Sequence, residues 1–306
     1  MIYTLTTNPA IDMNICTNGL EPRKVNRTFD AVYTPNGKGL NVSFVLHHFG
    51  IASKIMGFFG GFSGSYIVEE SRRRGFEVIP VAVDDITRIN IFLNDGTTEY
   101  KLVNDGALVP REKQQEMLER IRTATDMTHL SISGSLPQGI EPSYYDEILD
   151  ICRERGIRII LDISSTKLRD LLHWTPLLIK PNDEELEKIF GIHVKTERDI
   201  IEALDFLHAE GAQNVLLTLG EHGAYFSNGN AVYFASARPI QLLSSACAGD
   251  AALAAFLSIW LEHPENVADA LRNMAAVGAN VAESNALGTL SRVDEYKKDI
   301  QVRRVK

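Results

Sequence analysis

The run Leu242-Leu243-Ser244-Ser245-Ala246-Cys247-Ala248-Gly249-Asp250 continues as Ala251-Ala252-Leu253-Ala254-Ala255-Phe256-Leu257-Ser258-Ile259-Trp260-Leu261. It reads as a short strand, a tight loop of small residues and an apolar helix. Small residues let several backbone N–H groups converge where a helix begins, which suits an anion such as a phosphoryl group in transfer. Asp250, alone in the first turn, can take a proton from an attacking hydroxyl. An acidic residue there also complements the helix dipole. The stretch by itself leaves both roles open.

Outward from this unit, strand-like and helix-like segments alternate. Ile2–Thr6, Ser53–Phe59, Glu77–Val83, His129–Ser133, Ile157–Asp162, Leu177–Lys180 and Val215–Thr218 are short apolar runs suited to central strands. Between them, helices are expected over Gly39–Phe49, Ser65–Arg74, Glu112–Ala124, Tyr144–Arg155, Asp183–Phe190 and Glu197–Glu210. The alternation predicts an α/β fold with a mostly parallel sheet covered on both faces. Met13–Tyr33 and Arg88–Val103 break the rhythm. The second alternates as a hairpin about Asn94-Asp95-Gly96. Both are read as strands of a small separate sheet, approximately 13–35 and 88–104, that covers a site. Asn228-Gly229 marks a further hairpin. The whole of 1–306 is read as a single domain with this lid.

Composition narrows the function classes. With 44% hydrophobic and 23% charged residues the chain can bury a large core. A net charge of -9 argues against a general nucleic-acid or anionic-membrane surface. Cys16, Cys152 and Cys247 are too few and too scattered for a disulfide framework or a zinc motif, which suggests a cytoplasmic setting. No signal-peptide pattern opens the sequence, and the most apolar helix is too short to span a bilayer.

In open α/β sheets ligands bind beyond the carboxyl ends of the strands, and polar clusters stand at several of these ends. Asp12, in Asn8-Pro9-Ala10-Ile11-Asp12, can accept hydrogen bonds from sugar hydroxyls or simply form a turn. Gly37-Lys38-Gly39-Leu40-Asn41 lets the backbone approach a ligand while the ammonium points at phosphate, although the spacing is not that of a P-loop. Ser133 ends a strand in the small-residue run Ser133-Gly134-Ser135. Arg88 and Asn90 lie on the lid, and Arg88 suits bidentate phosphate recognition. Asn182 and Glu185 share a helix face and can orient water around Mg²⁺, yet they also spell a capping box, which the local pattern favours. Thr218, Gly220, Glu221 and Gly223 form a glycine turn that can bind nucleotide phosphates or simply connect to the hairpin that follows. His47 and His48 have no partners at metal-ligand spacing.

Together and in this order, these clusters resemble the PfkB, or ribokinase-like, sugar kinase family over essentially the whole chain. The patterns nearest to it are those of 1-phosphofructokinases and tagatose-6-phosphate kinases. The resemblance rests on Thr7-Asn8-Pro9-Ala10 with Asp12, Gly37-Lys38-Gly39-Leu40-Asn41-Val42, Thr87-Arg88-Ile89-Asn90, Ser133-Gly134-Ser135-Leu136-Pro137, Lys180-Pro181-Asn182 with Glu185, Ala248-Gly249-Asp250, and Ser284-Asn285.

It implies a ribokinase-like three-layer α/β/α core with a β-lid that often dimerises. It also implies ATP- and Mg²⁺-dependent phosphorylation of a phosphosugar, with fructose 1-phosphate as the first expectation and tagatose 6-phosphate as the alternative. Asp250 would be the base, and the N–H groups around Cys247, Ala248 and Gly249 the anion hole. Asp12, Asn41, Asn90 and Ser133, with the backbone at Gly37 and Gly39, would meet the sugar, and Lys38 and Arg88 its existing phosphate. Lys180, Asn182, Thr218, Gly220, Glu221, Gly223 and Asn285 would meet ATP, and Asn182 and Glu185 the metal through water.

The chain departs from the pattern at Cys247 and Asn36, where the family usually has glycine, and at Ser244-Ser245. A left-handed backbone at Cys247 would strain the loop, whereas an ordinary one would leave its N–H in place. A catalytically weak sugar-phosphate- or nucleotide-binding protein is therefore the contrasting reading. Placement at a helix start is expected to favour the Cys247 thiolate, unless the residue is a buried, inert filler.

Overall fold

A computed structural model describes residues 1–306. The strands are β1 (Ile2–Thr6), β2 (Ala10–Thr17), β3 (Thr28–Asn36), β4 (Ser53–Gly60), β5 (Glu77–Val83), β6 (Arg88–Asn94), β7 (Glu99–Leu102), β8 (His129–Ser133), β9 (Arg158–Asp162), β10 (Leu178–Ile179), β11 (Val215–Thr218), β12 (Ala224–Ser227), β13 (Val232–Ala235) and β14 (Val302–Arg304). Ten of them form one sheet, in the order β14-β13-β12-β11-β10-β9-β8-β1-β4-β5. From β11 to β5 all pairings are parallel, and the β12–β14 edge is antiparallel. The remaining four make a lid sheet, β3-β2-β6-β7.

The helices are α1 (Lys38–His48), α2 (Gly61–Arg73), α3 (Arg111–Thr123), α4 (Tyr144–Arg155), α5 (Lys167–Leu171), α6 (Asp183–Glu185), α7 (Glu197–Ala209), α8 (Ala248–Trp260), α9 (Val267–Ala282) and α10 (Val293–Tyr296). Side chains alternate across each strand, so one sheet buries two cores. Tyr3, Leu5, Ile159 and Leu161 face a core shared with α3, α4 and α7, while Ile2 and Ile160 face one shared with α1, α8 and α9. The second core includes Phe256 stacked on Trp260, with Phe226 against both. α2 closes the β4–β5 end through Ile67 and Val68, where Ile11 of the lid joins it. No helix is long and apolar enough to cross a membrane.

The sequence expectations need correction in five places. Residues 242–245 form no strand, because the carbonyl of Ala282 at the end of α9 accepts from both Leu243 N–H and Ser244 N–H and draws the chain off the sheet. α2 starts at Gly61, ahead of Ser65. Its glycines are poor helix formers, but a side chain at Gly64 would strike the Phe59 backbone and Thr87, so packing decides. The strand expected over 177–180 shrinks to two residues. The 183–190 helix widens into a π turn over Leu186–Phe190. The lid begins at Ala10, before Met13, so Asp12 lies within a strand and not in a turn. β14 went unforeseen.

Candidate active site

The lid and core meet over the carboxyl ends of β1, β8 and β9, and the lid register fixes which side chains face the opening. Asp12 pairs across the sheet with Asn90 on one side and Thr34 on the other, while Ala10 pairs with Arg88 and Asn36. Asn90 Nδ2 donates to Asp12 Oδ1 at 2.9 Å, and Asn36 Nδ2 donates to Asp12 Oδ2. Each carboxylate oxygen thus holds one protein donor and keeps a lone pair for a ligand. Burial raises the Asp12 pKa, while the two amides and the Arg88 charge oppose that rise. Thr6, at the end of β1, seats the glycine turn before α1. Its Oγ1 accepts from Leu40 N–H at 3.0 Å, and a Cβ at Gly37 or Gly39 would come within 2.5 Å of the Thr6 side chain. Gly37 also has φ 147°, so glycine is required twice.

The turn delivers Asn41, whose amide hydrogens are both used. Nδ2 donates to Asn36 Oδ1 at 2.8 Å and to Asp250 Oδ2 at 2.9 Å. Asn90, Asp12, Asn36, Asn41 and Asp250 therefore form one continuous hydrogen-bonded chain from lid to core. Asp250 is 6% exposed. Its burial pushes the carboxyl up to about 6; the Lys38 ammonium and the Asn41 bond act against this, and the neighbouring Asp162 charge adds to it.

Asp162, at the end of β9, is a site residue that sequence reading missed. It is 1% exposed, and its carboxylate makes ion pairs with Lys180 Nζ at 3.1 Å and Lys38 Nζ at 3.6 Å. Burial alone would raise its pKa; the ammonium groups of Lys180 and Lys38 outweigh this and leave the pKa lowered. The Lys38 pKa is raised, first by the Asp162 charge and then by Asp250 and Glu185. The signal in the sequence was a lone Asp closing the apolar run Ile159-Ile160-Leu161, easily taken for a strand end. Arg88 has different neighbours. It feels Asp12 and Asp105 and donates to the carbonyls of Asn8 and Asn104, and its Nε is buried without a partner. Ser133 Oγ is likewise buried and unpartnered.

The loop before α8 leaves backbone N–H groups without protein partners. Cys247 caps the helix with φ 64° and ψ -12°, the left-handed region. The N–H groups of Cys247 and Gly249 make no hydrogen bond within the protein, as helix starts leave them, and Lys180 Nζ lies 3.6 Å from where a Gly249 Cβ would stand. The expected thiolate is corrected: burial pushes the Cys247 thiol up to about 12, and the Asp250 and Asp12 charges add to the rise. The helix terminus does not offset two nearby carboxylates.

On the other side of the opening, Asn182 and Glu185 make the capping box, with Glu185 N–H to Asn182 Oδ1 at 2.7 Å and Asn182 N–H to Glu185 Oε2 at 3.1 Å. Ser164 Oγ donates to Glu185 Oε1. Asn182 also bridges Thr218 at the end of β11, beside the turn Gly220–His222 and Gly223. Asn285 is exposed in the turn after α9, whose end is tied to the loop at Leu243 and Ser244. No three His, Cys, Asp or Glu side chains are placed to cage a metal ion.

Known proteins resemble the chain over essentially its whole length. Residues 5–292 match the model of the pfkB family of carbohydrate kinases. The chain is 51% identical, over 99% of both sequences, to the D-tagatose-1-phosphate kinase of Klebsiella oxytoca. It is 31% identical, over the full length of both, to the 1-phosphofructokinase of Bacillus subtilis. The crystal structure of phosphofructokinase-2 from Escherichia coli in complex with substrates and products superposes with a TM-score of 0.88 at 25% identity, covering 97% of this chain and 98% of that one. The chain belongs to the pfkB family of carbohydrate kinases and is a phosphotransferase with a sugar alcohol group as acceptor.

Proposed function

We propose that the protein transfers the γ-phosphoryl group of ATP to the C6 hydroxyl of a ketohexose 1-phosphate, with tagatose 1-phosphate as the preferred acceptor. The observation that carries this is the full-length 51% identity to a kinase named for that acceptor, and the hydrogen-bonded chain from Asp12 to Asp250 is consistent with it. The first expectation was fructose 1-phosphate, which becomes the secondary acceptor. Both curated names point to a phosphate at C1, which weighs against tagatose 6-phosphate.

In this reading Asp12 and Asn90 hold sugar hydroxyls, and Arg88 holds the phosphate already present. The C6 hydroxyl lies against Asp250. Its oxygen attacks the γ-phosphorus as Asp250 accepts the proton, the bond to the β,γ-bridging oxygen breaks, and ADP leaves. Charge on the transferring group is met by the free N–H groups of Cys247 and Gly249 and by Lys38 and Lys180, as electrostatic catalysis requires. Lys38 is thus assigned to the transferring group, because its charged neighbours are Asp162, Asp250 and Glu185, and not to the resident phosphate. Thr218, Gly220, Glu221, Gly223 and Asn285 line the nucleotide side. Mg²⁺ accompanying ATP supplies charge neutralisation when bound. The spare lone pairs of Glu185 and Asn182 suit contact through its water shell, since the protein alone offers no cage.

Cys247 has the left-handed backbone that the sequence reading linked to strain, yet the N–H groups of Cys247 and Gly249 still make no hydrogen bond within the protein, which supports an active enzyme over a weak binding protein. A coupled ADP-release assay across tagatose 1-phosphate, fructose 1-phosphate, the two 6-phosphates and the free sugars tests the reading. Fastest turnover with a 6-phosphate would overturn the acceptor, and turnover with none would leave a binding protein.

A further inference from the structure

Two side chains in the sugar pocket have no role in the transfer step, and one is kept at a conformational cost. Cys247 has φ 64°, a region disfavoured for any residue with a Cβ and natural for glycine. A residue held there against its preference, at a functional site, points to a use for the side chain. Cys247 is half-buried at the cap of α8, three residues before Asp250, to which Asn41 links Asn36, and the Asp250 and Asp12 charges act on its thiol, so it stands beside the groups proposed to meet the sugar. Asn36 has four partners in this small space. It donates to Asp12 and accepts from Asn41 and from Gly37 N–H, while its backbone ends β3 opposite Ala10. With Asn90 on the other oxygen, Asp12 is held at both ends and cannot swing to follow a displaced hydroxyl. Asn90 Oδ1, on a residue 7% exposed, is left without a partner and is available to a ligand.

We propose that Asn36 and Cys247 together determine which C4 epimer of the ketohexose 1-phosphate is accepted, Asn36 by fixing the Asp12 carboxylate and Cys247 by closing the adjoining space with sulfur. This rests on the reading of the acceptor given above. Tagatose and fructose differ only in the direction of the C4 hydroxyl. A fixed carboxylate rewards a hydroxyl pointing at it. A thiol is a weak hydrogen-bond partner, so a hydroxyl turned towards Cys247 loses its water without replacement. Sites that recognise a hydroxyl by a buried polar group discriminate far more strongly than apolar pockets, because the wrong substrate leaves that group unpaired. The pair favours the tagatose configuration.

The test is kcat/KM for tagatose 1-phosphate and fructose 1-phosphate in the wild type, Asn36→Gly, Cys247→Gly and the double variant, with KM for ATP measured alongside. The expected result is a tagatose-to-fructose preference that falls by about tenfold or more in the double variant, with KM for ATP unchanged. A ratio that stays within about twofold while both substrates lose activity in parallel would overturn the proposal, making the two residues scaffold only. If thermal denaturation shows a glycine variant unfolded, Cys247→Ser and Asn36→Ser provide the same ratio with a side chain retained. Wild-type enzyme inactive on both 1-phosphates would defeat the acceptor reading before any variant is compared, so the two failures are separable.

Discussion

Asn41 Nδ2 stands 2.9 Å from Asp250 Oδ2, a bond across 209 residues of sequence that orients the carboxylate proposed to receive the proton. The bond leaves Asp250 a second oxygen for the acceptor hydroxyl. Replacing the carboxylate by an amide keeps the size and loses the base. Asp250→Asn is expected to lower kcat by roughly 10²–10⁴-fold while ATP binding, followed by calorimetry, stays near wild type. Near-normal turnover in the folded variant would remove Asp250 from that role.

The same carboxyl sets a pH dependence. Burial raises it from 3.8 to about 6 in the free protein, and only the ionised form accepts a proton, so kcat/KM should rise with pH through about 6 and level above it. The stability contribution has the opposite direction. The folded state binds the proton more tightly than the unfolded chain, so this contribution is complete below about 3.8 and is lost as pH rises through about 6. A kcat/KM profile flat from about pH 5 to about pH 7, roughly one unit either side of this group, would contradict the assignment.

Asp162 is the counter-charge of two lysines. Asp162→Asn leaves Lys180, 5% exposed, without its partner. Removing one member of a buried ion pair typically costs about 3–5 kcal/mol, and the partial exposure of Lys38 places the expected loss at the lower end. Chemical denaturation measures it. A variant as stable as the wild type would show that water screens this cluster.

Arg88 and Lys38 should separate kinetically. Arg88→Ala is expected to raise KM for the phosphosugar by about tenfold or more, in keeping with loss of a charge-assisted contact, and to leave the poor turnover of the free sugar unchanged. Lys38→Ala is expected to lower kcat for both acceptors. If Lys38→Ala instead raised KM for the phosphosugar alone, the resident phosphate would belong to Lys38, as the sequence first suggested.

Much of this site is legible in the sequence because strand ends are short and local. Gly37, Lys38, Gly39 and Asn41 lie on one turn and need no tertiary information to be grouped. Asp162 was missed because its meaning comes from Lys38 and Lys180, which only the parallel order β10-β9-β8-β1 brings to it. Cys247 keeps two readings in the sequence for a related reason: the helix start and Asp250 are visible in one run, but the burial and the Asp12 carboxylate that oppose ionisation and favour the inert reading arrive from elsewhere. The predicted strand at 242–245 failed because α9, far along the chain, supplies the Ala282 carbonyl that captures it.

A consequence of the buried thiol is low reactivity. With its pKa pushed up to about 12, Cys247 holds almost no thiolate near neutral pH, and the thiolate is the nucleophile. Under iodoacetamide at pH 7.5, roughly a unit below an ordinary cysteine, mass spectrometry should find Cys247 unmodified long after half-buried Cys16 has reacted. Rapid labelling at Cys247, slowed by ATP, would restore the thiolate expected at a helix start.

The lid offers a last prediction. Its register aligns Tyr33, Met13, Ile91 and Leu102 in one row across all four strands, and side chains in a row share a face. Ile11, two residues before Met13, is covered by α2, but Tyr33 and Leu102 remain 49% and 54% exposed. Contiguous apolar surface of this kind marks an interaction site, and the charged neighbours Lys101 and Glu99 lie towards the hairpin tip and not within the row. A second copy of the lid is the occupant proposed for this face, giving a homodimer. Sedimentation velocity at micromolar concentration should show a dimer for the wild type and a monomer for Leu102→Glu, whose exposed position in the isolated chain keeps the fold intact by circular dichroism. A monomeric wild type would remove the dimer while leaving the lid, and an undisturbed dimer in Leu102→Glu would move the interface elsewhere.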